Sequence, residues 1–142
     1  MKILLDTNIV LDILLERKEF INDSLSALTK AISNGDRIYL SSSAATDIYY
    51  VIRRQTGNKD EALKGIKKIS EILSFADVNE ECVLKACKSK ITDFEDAVVD
   101  EVASNIKVDY IITRNIKDYN NSKNKILTPK EYINIYDKIS RK

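Results

Sequence analysis

A chain of 142 residues with 44% hydrophobic content, three glycines and one proline has the size and composition of one folded domain and not of a disordered segment. The net charge of +1 gives no overall basic signature, and the absence of histidine excludes Ser–His and Cys–His nucleophilic pairs and any His-ligated zinc site. Asp6 interrupts the first apolar run and Asp12 the second, so neither a signal-peptide core nor a membrane span is expected.

Residues 2–5 read as a short, fully apolar strand, and "TNIVLDILLER" after it as a helix. "NDSLSALTKAISNG" puts Leu25, Leu28 and Ile32 on one helical face and closes at Gly35. "RIYLS" (37–41) is a second strand, and Ser42 or Ser43 can cap the helix "AATDIYYVIRRQT" that ends at Gly57. An amphipathic helix "DEALKGIKKISEIL", a weak strand "SFADV" and a short helix "EECVLKACK" follow. Cys82 and Cys87 lie five apart, on different helical faces and without a CxxC motif, and are expected to be reduced thiols with a structural role in a cytoplasmic protein.

Thr92 and Glu95 spell a capping box, which predicts a helix from about Asp93 to Ile106. "DYIITRN" contains a strand at 109–113, and "KILT" is a candidate fifth. Thr128, Pro129 and Glu131 open a final helix reaching about Ile139. Short strands alternating with helices predict one α/β domain over 1–142: a three-layer sandwich with a short parallel sheet between helices.

"TDFEDAVVDEVA" crowds five carboxylates into nine positions, from Asp93 to Glu101. First-turn placement accounts for Asp93 and Glu95, where the helix dipole favours negative charge, and Glu101 points away into solvent. Asp96 and Asp100 border the buried stripe formed by Val98, Val99, Val102, Ala103 and Ile106. Asp6 and Asp118 each follow a strand, and Asp47 lies one turn into the helix after the second strand. Separate segments thus deliver carboxylates to one end of the sheet, where ligands of open α/β folds bind. Uncompensated, such a cluster forces some members to protonate; a hard cation, Mg²⁺ or Mn²⁺, removes that penalty and makes metal-activated water attacking a phosphodiester the natural chemistry. Any one of these aspartates is also explained as a turn or cap residue.

Charge is uneven along the chain: from Ser104 onward nine Lys/Arg face four Asp/Glu, and Arg53 to Lys68 carries six against two. A basic rim suited to a polyanion and plain solvated helix faces both account for this.

Taken in order, "ILLDTNIVLDIL", "SSSAATDIYYVIRR", "DFEDAVVDEVA" and "YIITRNIKDYNNSKNKILTPKEYI" resemble the PIN-domain family, which includes the VapC-type toxins of bacterial toxin–antitoxin pairs. The resemblance covers essentially the whole chain. It implies a parallel sheet flanked by helices, an acidic pocket for Mg²⁺ or Mn²⁺, endoribonuclease activity, a homodimer and an antitoxin partner. By position, Asp6 matches the family's first acid, Asn8 the polar residue beside it, and Asp96 the acid on the later helix. Asp47 stands where the toxins usually carry Glu, and Thr113-Arg114-Asn115 stands where they carry T-x-D, with Asp118 three residues on.

The expected roles follow. Asp6 and Asp96 hold the metal; Asp118 or Asn115 orients a ligating water; Asp47 is an outer ligand or general base. Asp93 and Asp100 are reserve acids, capping and solvated respectively. Thr113 bonds carboxylates at the strand end, while Asn8, Arg53, Arg54, Thr113 and Arg114 are candidates for contacting substrate. Tyr49 and Tyr50 are candidates for base stacking, at least one of them being core. The alternative is a catalytically inactive PIN-like module that binds RNA or a protein. An Asp-phosphorylated receiver or phosphatase is weaker, because a D-x-D start is replaced by D-T-N.

Overall fold

The computed structural model describes residues 1–140, in which five short strands form one all-parallel sheet in the order β3-β2-β1-β4-β5. These are β1 (Lys2–Leu5), β2 (Arg37–Ser41), β3 (Ser74–Ala76), β4 (Tyr110–Ile112) and β5 (Ile126–Leu127). The helices are α1 (Thr7–Leu14), α2 (Ile21–Ser33), α3 (Ser42–Thr56), α4 (Lys59–Ser70), α5 (Glu80–Cys87), α6 (Phe94–Ile106) and α7 (Pro129–Ser140). Arg141 and Lys142, part of the basic C-terminal stretch, lie outside the described residues.

Ile3, Leu4 and Leu5 are all at most 1% exposed, as a parallel strand covered on both faces must be. Alternate side chains enter opposite layers. Ile3 and Leu5 join a core with Ile9 of α1, Ala27 of α2, Ile48 of α3 and Tyr132 of α7. Leu4 instead meets Ala86 of α5 and Val99 and Val102 of α6. The predicted three-layer sandwich is the one observed.

Several boundaries differ for local reasons. α1 stops at Leu14, short of the predicted Arg17, because Glu16 takes a left-handed φ of 49° and the Arg17 N–H returns to the Asp12 carbonyl at 3.0 Å. β3 ends at Ala76, since Val78 N–H donates to the Ser42 hydroxyl (3.3 Å) and not to a strand. The Thr92–Glu95 capping box does not form. Asp93 is the cap instead, its Oδ1 accepting from Asp96 N–H at 3.0 Å, which frees Glu95 to turn elsewhere. The second box does form: Glu131 N–H donates to Thr128 Oγ1 (3.1 Å) and Thr128 N–H to Glu131 Oε1 (3.4 Å). Gly57, at φ 67°, closes α3 with its N–H on the Arg53 carbonyl.

Strand order fixes where a ligand can bind. The chain runs outward from β1 to β2 and β3, then returns to the other side of β1 with β4 and β5. The carboxyl ends of β1 and β4 therefore flank the switch point, where diverging connections leave a crevice.

Candidate active site

Asp6 occupies that crevice. It follows β1, caps α1 by accepting Thr7 N–H on Oδ1 (2.8 Å), and accepts the Thr113 hydroxyl on Oδ2 (2.9 Å) from the end of β4. Thr113 is fully buried, and its Oγ1 also accepts Asn115 N–H (3.1 Å), so one hydroxyl fixes both the carboxylate and the turn after β4. A cleft of about 470 Å³ opens here, lined by Asp6, Asp47, Asp93, Glu95, Asp96 and Asp118 among others. Four elements supply these six acids: the β1 end, α3, the start of α6, and the 3₁₀ turn Ile116–Tyr119.

Burial and crowding act together on these carboxyls. Burial pushes the Asp6 carboxyl above its usual range, the Thr113 and Thr7 bonds oppose that, and Asp118 adds to it. Asp96 is pushed up to about 7 by burial, then by Asp6, Asp93 and Asp118. Glu95 also reaches about 7, through burial and then the adjacent Asp47. Tyr119, buried behind them, donates its hydroxyl to Asp96 at 3.4 Å and is itself pushed upward by burial and by Asp6 and Asp96. Glu95 is the site residue that sequence reasoning missed. Its i, i+3 spacing from Thr92 fitted a capping box, and only the Asp93 cap turns it toward Asp47.

An oxygen-only donor set of this charge suits a hard divalent cation. Thr7 also lines the cleft, and its Oγ1 is buried without a hydrogen-bond partner. Among the described residues no three acidic, Cys or His side chains are grouped closely enough to enclose a metal by themselves. A cation held here would keep several waters, as Mg²⁺ prefers to do.

The other candidates are distributed as follows. Asn8 and Arg54 line the cleft, and Arg53 is exposed on α3 outside its lining. Tyr50 stands 57% exposed on the cleft wall, while Tyr49 packs against the core and meets it edge-on at 5.3 Å. Asn115 contributes its backbone to Thr113 and is not part of the cleft lining; Asp118 is. Arg114 is committed elsewhere: its Nε and Nη2 reach fully buried Asp12 at 3.0 and 3.3 Å, and its guanidinium lies 3.9 Å over the Phe20 ring. Arg17 completes this clamp from the other side (3.3 Å), and Ser24 donates to the same carboxylate at 3.2 Å. Asp100, expected in solvent, is only 4% exposed and outside the cleft. Its place on α6 turns it toward the loop after the 3₁₀ turn, where Ser122 and Asn124 donate to its Oδ1.

An all-parallel sheet with an acidic cleft at its switch point defines the class, an α/β fold with an oxygen-lined site. The family model described as PIN domain matches residues 2–117, and the chain belongs to the PIN-domain family. Three solved structures share the fold. VapBC2 from Rickettsia felis, bound to a DNA fragment from its promoter, aligns with a TM-score of 0.70 at 18% identity, over 89% of this chain and 97% of that one. VapBC-1 from nontypeable Haemophilus influenzae gives 0.67 at 18% identity (92% and 99%), and FitAB bound to an IR36 DNA fragment gives 0.68 at 13% (89% and 94%). No curated protein sequence matches significantly.

Proposed function

We propose that the protein is a Mg²⁺- or Mn²⁺-dependent endoribonuclease that hydrolyses RNA phosphodiester bonds, and that it is the toxin of a toxin–antitoxin pair. The observation that carries the reading is the convergence of Asp6, Asp96, Glu95 and Asp118 at the switch point, with two of those carboxyls raised to about 7 by burial and then by their acidic neighbours. Asp6 and Asp96 would hold the cation, with Asp118 orienting its water. When bound, the cation supplies charge neutralisation at the scissile phosphate and acidifies water.

The chain's own groups do the rest. Thr113 holds the Asp6 carboxylate in one orientation. The Asp47–Glu95 pair, with Glu95 at about 7, is poised to accept a proton near neutral pH. Arg54 meets a phosphate from the cleft wall, and Tyr50 offers a face to an unpaired base. The toxin assignment, with an antitoxin protein, a homodimer and the cytoplasm as its setting, leans on the fold shared with the VapBC and FitAB proteins. No helix of the described residues is long and apolar enough to cross a membrane.

The test is cleavage of RNA with Mn²⁺ by wild type, Asp6→Asn and Asp96→Asn, with circular dichroism verifying the fold. Loss of cleavage in both variants and with chelator supports the reading; cleavage indifferent to all three refutes it. Asn115 in place of an acid favours a second reading, a module that binds RNA or protein without cutting. RNA binding without Mn²⁺ affinity or cleavage would select it.

A further inference from the structure

The acidic cleft does not end at its acids. Asp93 and Asp118 also wall a second cavity of about 410 Å³, lined by Thr92, Lys117 and Asn120. Asn121 is shared in turn with a third cavity, about 650 Å³, which Lys88, Lys90 and Lys123 line. Three cavities in series thus make one polar groove that turns from acidic to cationic. Among the described residues none of Lys88, Lys90, Lys117 and Lys123 joins an ion pair; Lys85, at the far edge, is held by Glu81 at 2.8 Å.

The groove is built and not merely bordered by loose lysines. Asn121 Nδ2 donates to the Lys90 carbonyl (3.2 Å), tying the loop 120–125 to the segment before α6. Buried Asp100 anchors the same loop: Ser122 and Asn124 donate to its Oδ1, and Asn124 Nδ2 reaches Ser104 Oγ at 2.9 Å. That gives Asp100, which lies outside the acidic cleft, a purpose: holding the loop that carries Lys123. Glu101 lines the third cavity beside it.

We infer that this groove holds the phosphate backbone of single-stranded RNA on one side of the scissile bond, an inference that rests on the nuclease reading. A row of unpaired cations leading away from a phosphodiester-cutting site suits a polyanion that must pass through both. An acidic peptide would meet the same lysines and the same two acids, Asp93 and Asp118, but carries no phosphodiester for the adjoining site to cut. Tyr50, exposed in the acidic cleft at the head of the groove, offers an unpaired base a stacking partner that a duplex could not use.

The double variant Lys90→Ala/Lys123→Ala tests it, since both side chains are exposed and their loss leaves the fold intact. Binding of a fluorescein-labelled oligouridylate, read by anisotropy in chelator, should weaken about tenfold, and the salt slope should fall by about 1.4, roughly 0.7 for each phosphate no longer neutralised. Unchanged affinity and slope while wild type cuts RNA would overturn the groove and leave the nuclease reading standing. Weakened affinity in the variant, with wild type unable to cut, would support the groove and sink the nuclease reading. Polyglutamate of matched charge competing as well as RNA would overturn the assignment to RNA.

Discussion

In the presence of chelator, raising the pH should destabilise the protein through Asp96. Its carboxyl titrates near 3.8 when unfolded and at about 7 when folded. Between those values the folded chain keeps a proton that the unfolded chain has released. The contribution is therefore complete below the unfolded value and is lost as pH rises through about 7. At about 1.4 kcal/mol per pH unit the part of the interval between about pH 5 and about 7 is worth about 3 kcal/mol, but the carboxyl is only half buried and solvent screening reduces this to about 1 kcal/mol. With an unfolding entropy of about 0.3 kcal/mol/K for a chain of this length, the melting temperature should fall by about 3 °C between about pH 5 and pH 8. Glu95 acts in the same direction. Asp36, held below its usual range by the N-terminal ammonium, Tyr132 and Tyr136, acts oppositely, but only under more acidic conditions. Calorimetric melts of wild type and Asp96→Asn at about pH 5 and pH 8 isolate the effect, because the variant keeps the backbone N–H that Asp93 caps and loses the titration. An equal fall in both proteins would refute the reasoning. Mn²⁺ at the higher pH should restore wild type and leave the variant unmoved.

Two further outcomes follow from the contacts of the buried carboxylates Asp12 and Asp6. Asp12→Ala leaves Arg114 and Arg17 without their fully buried partner and should cost about 3 kcal/mol in urea unfolding; a change under about 1 kcal/mol would mean that the clamp is idle. Thr113→Val deprives Asp6 Oδ2 of its donor and should cost about 1–2 kcal/mol of stability, with cleavage slowed by about tenfold. Wild-type cleavage in that variant would show that Asp6 is held without it.

Sequence periodicity captured the sandwich because its information is local: a fully apolar β1, glycine-closed α2 and α3, and a capping box at α7. It failed where several local solutions compete. Thr92 and Asp93 are both good caps, and one position of difference decides whether Glu95 folds back or faces Asp47. Asp100 sits at the margin of the buried stripe, and its burial depends on Ser122 and Asn124 more than twenty residues downstream. The Asp12–Arg114 clamp joins positions 102 residues apart, which no helical or strand period can show. The strand-end acids were easier, since a charged residue directly after an apolar strand marks the carboxyl edge of a parallel sheet.

Titration of metal-free protein with Mn²⁺ by calorimetry asks most directly whether a cation belongs among these carboxylates. Wild type should bind and, near neutral pH, release protons that Asp96 and Glu95 hold at about 7, seen as a heat that changes with the ionisation enthalpy of the buffer. Asp6→Asn and Asp96→Asn should lose that binding. Absence of binding in wild type, or equal binding in all three proteins, would contradict a metal-centred active site in this cleft.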